Sequence, residues 1–207
     1  MAHECTLVKQ GRFDEALKIC ERIYAAAEAA APPGVLAMLW AHRGDMLRHL
    51  EDLSGAADAY AECVRRLQPI AGRADCPQLL IIPLHTLAAV QLRRGCVDDA
   101  LTLLDRSDDA LARAEPTLNR RFIQLHTMLL RAWSAAAAGD VATARRLYLQ
   151  ARQIADLLRL PPAHRLMQVI ADGLDWLDNP TVTPPAPFLW DEPAYVGPAP
   201  ALLACCA

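Results

Sequence analysis

Few residues in this chain are placed to do chemistry. His42, Asp45 and His49 stand at i, i+3 and i+7, so on a helix they share one face, and helical His and Asp side chains can ligate a metal. A span of two turns is too long for one ion without a ligand from another helix, so neither a metal nor another cofactor is expected. Seven cysteines, at 5, 20, 63, 76, 96, 205 and 206, are an odd number without metal-finger spacing. Cys20 and Cys63 fall where a helical pattern takes small apolar residues and read as packed thiols. Cys205 and Cys206 stand outside that pattern, and two readings of them stay open: an inert end, or a thiol site that is modified or handles metal. Adjacent cysteines form a strained disulfide, and no four-residue prenylation box is present.

Catalysis has little support. Serine occurs only at 54, 107 and 134, and the nine glycines form neither GxGxxG nor a P-loop. Asp98-Asp99 and Asp108-Asp109 read as solvated helix ends rather than acid/base pairs. The expectation is a protein that is not an enzyme.

The composition says what must position any site. Ala, Leu and Arg dominate and aromatics make up 5%, which favours helices over strands. The net charge of −3, with arginines scattered in pairs such as Arg65-Arg66, lacks the basic excess used to bind nucleic acid. The first ten residues hold no apolar signal core, and no apolar run approaches the roughly 20 residues that span a bilayer. No membrane partner and a cytoplasmic location are expected.

A repeat emerges when Ala16, Ala56, Ala100 and Ala144 are aligned, with spacings of 40, 44 and 44 residues. Five residues before each stand Gly11, Glu51, Gly95 and Gly139; three before, Phe13, Leu53, Val97 and Val141; four after, Cys20, Tyr60, Leu104 and Tyr148. These classes suit a helix hairpin. The glycine ends one helix in the left-handed conformation, the next apolar residue anchors the turn, and the alanine allows close approach of the second helix. Asp52 and Asp140 are predicted N-caps, and Pro83 either kinks its helix or marks its true start.

This pattern resembles the tetratricopeptide repeat (TPR) family. The second unit carries Trp40, Gly44, Leu47, Leu53, Ala56, Tyr60 and Pro69 in the family's order; the third Leu84, Ala88, Gly95, Ala100 and Leu104; the fourth Met128, Ala132, Gly139, Ala144, Tyr148 and Ala151. Spacing above the family's usual ~34 is similar to that of extended TPRs. The resemblance covers residues 2 to about 160 and implies an all-α fold, a right-handed α-solenoid of stacked antiparallel helix pairs. The expected units are 2–32, 33–75, 76–115 and 116–160, then a cap helix over 162–178 and a Pro-rich flexible tail over 179–207.

In this family the first helix of each pair lines a concave groove that holds a peptide. Carried over, the groove positions are His42, Asp45, Arg48 and His49; then His85, Thr86 and Arg93; then His126, Leu129, Leu130 and Trp133. The Lys, Arg and Asn set with which some members grip a C-terminal carboxylate is absent. The implied partner is another protein or peptide, which makes the chain an adaptor or regulatory protein.

Beyond Pro180 the tail holds six of the chain's 15 prolines, with Phe188, Trp190 and Tyr195 set beside Asp191 and Glu192. Two outcomes are open for it: free solvation, or weak docking into the protein's own groove or a neighbour's, whose apolar end is near Trp133, until a partner displaces it. The alternative for the whole chain is a carrier or substrate protein whose Cys-containing tail is the working part, with the repeats as a recognition handle.

Overall fold

The computed structural model describes Leu7 and residues 10–73, 76–114 and 120–179. Among these are eight α-helices and no strand: α1 (Phe13–Ala27), α2 (Pro33–His49), α3 (Leu53–Arg73), α4 (Ile81–Arg93), α5 (Val97–Arg113), α6 (Arg120–Ala137), α7 (Val141–Leu157) and α8 (Arg165–Asp178). Pro83 lies in the first turn of α4, after a 3₁₀ turn over Pro77–Leu80, so it marks a start and introduces no kink. Pro69 lies inside α3.

The helices α2–α3, α4–α5 and α6–α7 are joined by connections over 50–52, 94–96 and 138–140, and each pair packs closely. Successive neighbours also pack, α4 touches α6, and α6 touches α8. The reversals share one mechanism. The amides of Arg12, Asp52, Cys96, Asp140 and Leu160 donate to the carbonyls of Leu7, Leu47, Gln91, Ala135 and Ala155, five residues back, at 2.9–3.1 Å. Closing that loop needs a left-handed residue just before the donor. Gly11, Gly95 and Gly139 supply it with φ of 71°, 80° and 79°, while Glu51 and Arg159 adopt it without glycine at 61° and 55°. Asp140 then caps α7 by accepting from the Thr143 amide at 3.0 Å, and Asp52 accepts from the Gly55 amide at 2.9 Å.

Glu51 carries the conformational cost of a side chain at positive φ, on the order of 1 kcal/mol. Its carboxylate accepts from Arg93 at 2.5 Å, tying the α2–α3 turn to the end of α4. Exposed ion pairs contribute little, so in denaturant melts Glu51→Gly is expected to raise stability by about 0.5–1 kcal/mol, and Gly95→Ala to lower it by about 1 kcal/mol.

The aligned alanines Ala16, Ala56, Ala100 and Ala144 are each 0% exposed, at the contacts between helices. At Gly44 of α2 an added methyl would come within 2.8 Å of the Tyr60 ring of α3, and one at Gly173 of α8 would overlap the Tyr148 ring of α7. Ala88 and Ala132, also 0% exposed, stand where Gly44 stands relative to the following alanine. The interior divides between a core running from α2 to α6, which includes Leu84, Leu104 and Leu130, and a second over α6–α8, which includes Leu125, Tyr148 and Ile170.

Candidate functional site

The predicted groove residues lie on α2, α4 and α6, and the structure divides them. His42, Asp45, Arg93 and Trp133 are partly exposed and His49 is exposed. Arg48, His85, Thr86, His126, Leu129 and Leu130 are buried. As they stand, those six are interior residues, a correction to their placement as groove contacts. The cause is the surroundings of the first helices: α4 is enclosed by α3, α5, α6 and the 3₁₀ turn. Most of its circumference is therefore core, and Leu129 and Leu130 divide between the two cores.

The buried polar members serve packing. The Tyr60 hydroxyl donates to Asp45 at 2.5 Å, and burial, then the Asp45 charge, raises its pKa well above the usual tyrosine value. Arg48 lies against the same tyrosine and contacts His49 Nε2 at 3.2 Å, so Asp45, Arg48 and Tyr60 lock α2 onto α3. His49 stacks on Phe13 with ring centres 4.2 Å apart, which ties α2 to α1. His85 Nε2 lies 3.0 Å from the Thr127 hydroxyl, a polar contact between α4 and α6 in a fully buried setting. Burial and the neighbouring Arg131 hold His85 down to about 3. Burial, then His85 and His164, lowers His126 well below the ordinary value. His164 is the N-cap of α8, where its Nδ1 accepts from the Leu166 amide at 3.2 Å. Arg131 of α6 reaches Asp105 and Asp108 of α5 at 2.6 and 2.9 Å.

Of the predicted groove residues, those that remain open to solvent are few: His42, Asp45 and His49 on α2, Arg93 at the end of α4 and Trp133 on α6. They suit hydrogen bonds, charge pairing and apolar contact with a peptide. Among the described residues no three His, Cys, Asp or Glu side chains gather closely enough to hold a metal ion.

Sequence reasoning missed a cleft between α1 and α2. Cys20, Glu21 and Tyr24 line one side, and Leu39, Trp40 and Arg43 the other, around about 240 Å³. The rings of Tyr24 and Trp40 meet edge to face at 5.0 Å, and the Arg43 guanidinium lies over the indole at 5.1 Å. The signal in the sequence was the aromatic Tyr24 one turn after Cys20, on the face that the repeat pattern already assigned to helix contact.

Cys20 and Cys63 are buried, as packed thiols should be, and burial pushes Cys63 up to about 12, which leaves it protonated and unreactive. Phe188, Trp190, Asp191, Glu192, Tyr195, Cys205 and Cys206 lie outside the described residues. No described helix is long and apolar enough to cross a membrane. The sequence matches no family model and no curated protein.

Proposed function

We propose that this chain is a protein-interaction module of the TPR kind, a right-handed stack of helix hairpins closed by α8 as a cap, which binds a peptide segment of a partner protein. The segment lies along α2, α4 and α6. The supporting observation is that the first helices of three successive hairpins keep His42, Asp45, His49, Arg93 and Trp133 at the surface while bonds to neighbouring helices hold several of them in place. Asp45 is held by Tyr60, His49 by Phe13, and Arg93 by Glu51. A face fixed in this way loses little side-chain freedom on binding. The reading includes an adaptor or regulatory role in the cytoplasm, in keeping with the free thiols of Cys63 and Cys96 among the described residues. The residues that would carry the rival role, a carrier with a working tail, lie outside the described part.

Selection from a random peptide library against the full chain, followed by calorimetry, tests the reading. The combination of His49→Ala and Arg93→Ala is expected to weaken a selected peptide by about tenfold. Leu149→Ala, at a side chain 46% exposed on α7, is expected to change nothing. Equal binding by all variants would overturn the placement of the site.

A further inference from the structure

The α1–α2 cleft is the least explained feature of the surface. Its volume, about 240 Å³, falls below the ~300 Å³ at which small-molecule and cofactor pockets begin, so it suits one or two side chains of a peptide. Its aromatic walls are braced from behind. Arg66 of α3 donates to the Tyr24 hydroxyl at 3.0 Å and lies over that ring at 5.9 Å, while its own charge is met by Glu62 at 2.7 Å. The Trp40 indole N–H is buried and has no acceptor. A buried donor without a partner is costly, and a ligand carbonyl brought to it would relieve that cost. Polyproline segments leave every backbone carbonyl free and lay their rings on aromatic walls, which makes them the peptide class fitted to such a cleft.

Charge selects further. Arg43 meets Glu21 only at 3.7 Å, the edge of an ion pair, whereas Arg66 and Arg131 have carboxylates at 2.6–2.7 Å. The half-satisfied guanidinium beside Trp40 favours a ligand that brings acids next to its prolines and aromatics. One segment of this chain has that composition: Pro184-Pro185-Ala186-Pro187-Phe188-Leu189-Trp190-Asp191-Glu192. From Asn179, Phe188 is nine residues away and Glu192 thirteen, which at ~3.1 Å per residue reach about 28 and 40 Å.

We infer that residues 184–192 dock in the α1–α2 cleft of their own chain, prolines and aromatics against Tyr24 and Trp40 and acids towards Arg43, so that a tethered internal ligand occupies this surface until a competing proline-rich, acidic segment displaces it. The inference does not depend on the proposed binding face of α4 and α6.

Photo-crosslinking tests it, with p-benzoylphenylalanine in place of Phe188 in the full chain and the products mapped by mass spectrometry. Crosslinks within one chain to residues 20–24 and 39–43 are expected. Arg43→Glu should lower their yield by about fivefold at unchanged helix content, and Arg113→Glu, at an exposed site on α5, should not. Asp191→Asn with Glu192→Gln, outside the described helices, should lower the yield similarly without relying on the fold of a cleft variant. Crosslinks absent, scattered, joining two copies, or indifferent to both charge variants would overturn the inference. Peptide binding along α2, α4 and α6 would then still stand on its own test.

Discussion

Gly44→Ala is expected to destabilise the protein by about 1–3 kcal/mol in denaturant melts, against the usual sign for a helical glycine. In an exposed helix interior the same change adds stability, because alanine is the better helix former by about 1 kcal/mol. The sign reverses at Gly44 because the new methyl meets the Tyr60 ring of the partner helix at 2.8 Å, and that ring is fixed by its bond to Asp45. Gly173→Ala is expected to behave alike through Tyr148. Gly72, exposed in α3 with open space around an added Cβ, is the internal control: its replacement by alanine should be neutral or stabilising, by up to about 1 kcal/mol. A double-mutant cycle pairing Gly44→Ala with Tyr60→Leu should show coupling of about 1 kcal/mol or more, since the smaller side chain relieves the clash that the methyl creates. If Gly44→Ala and Gly72→Ala had the same effect, α2 and α3 would not approach as the structure shows.

Mild acid is expected to unfold the protein through its buried histidines. His85 is held neutral in the fold at a pKa of about 3, against 6.5 for a free histidine, and His126 is shifted in the same direction. Between those values the unfolded chain binds protons that the folded chain refuses, so stability is full above about pH 6.5 and declines as pH falls. At pH 4.5 the loss from His85 alone is about 2–3 kcal/mol, a large share of a typical domain's stability. Protons on His126 act in the same direction, and Arg131 and His164 nearby oppose charging of the pair. Glu62, whose pKa is lowered chiefly by its bond to Arg65, loses its contribution only as pH drops below 4.5, so the interval from pH 6.5 to 4.5 reports the histidines. His85→Gln should be less stable at neutral pH but flatter between pH 6.5 and 4.5, as followed by urea midpoints. An equal slope in both proteins would mean that His85 is not held neutral by the packing of α4 on α6.

The features legible in the sequence are the ones written locally. The aligned alanines, the left-handed glycines and the Asp52 and Asp140 caps each depend on residues within a few positions, and all stand where the spacing put them. Glu51 shows the limit of such reading: the turn geometry persists at φ 61° without a glycine, because the hydrogen bond from the Asp52 amide to the Leu47 carbonyl imposes it. Side-chain exposure on α2, α4 and α6 is another matter. Whether His85 or His126 faces solvent is decided by how many helices surround α4 and α6, and the period of one helix cannot report that. Gly173 escaped notice because its meaning lies in Tyr148, 25 positions earlier. The Tyr24–Trp40 cleft likewise depends on two aromatics from different helices, of which only Trp40 belongs to the repeat pattern.

Hydrogen–deuterium exchange on the full chain, with and without a library-selected peptide at saturation, tests the binding face most directly. Slowed exchange concentrated in α2, α4 and α6, at the turns bearing His49, Arg93 and Trp133, is the result the proposed face requires. Protection confined to α3, α5 and α7, or no change in any described helix while peptide is bound, would contradict it.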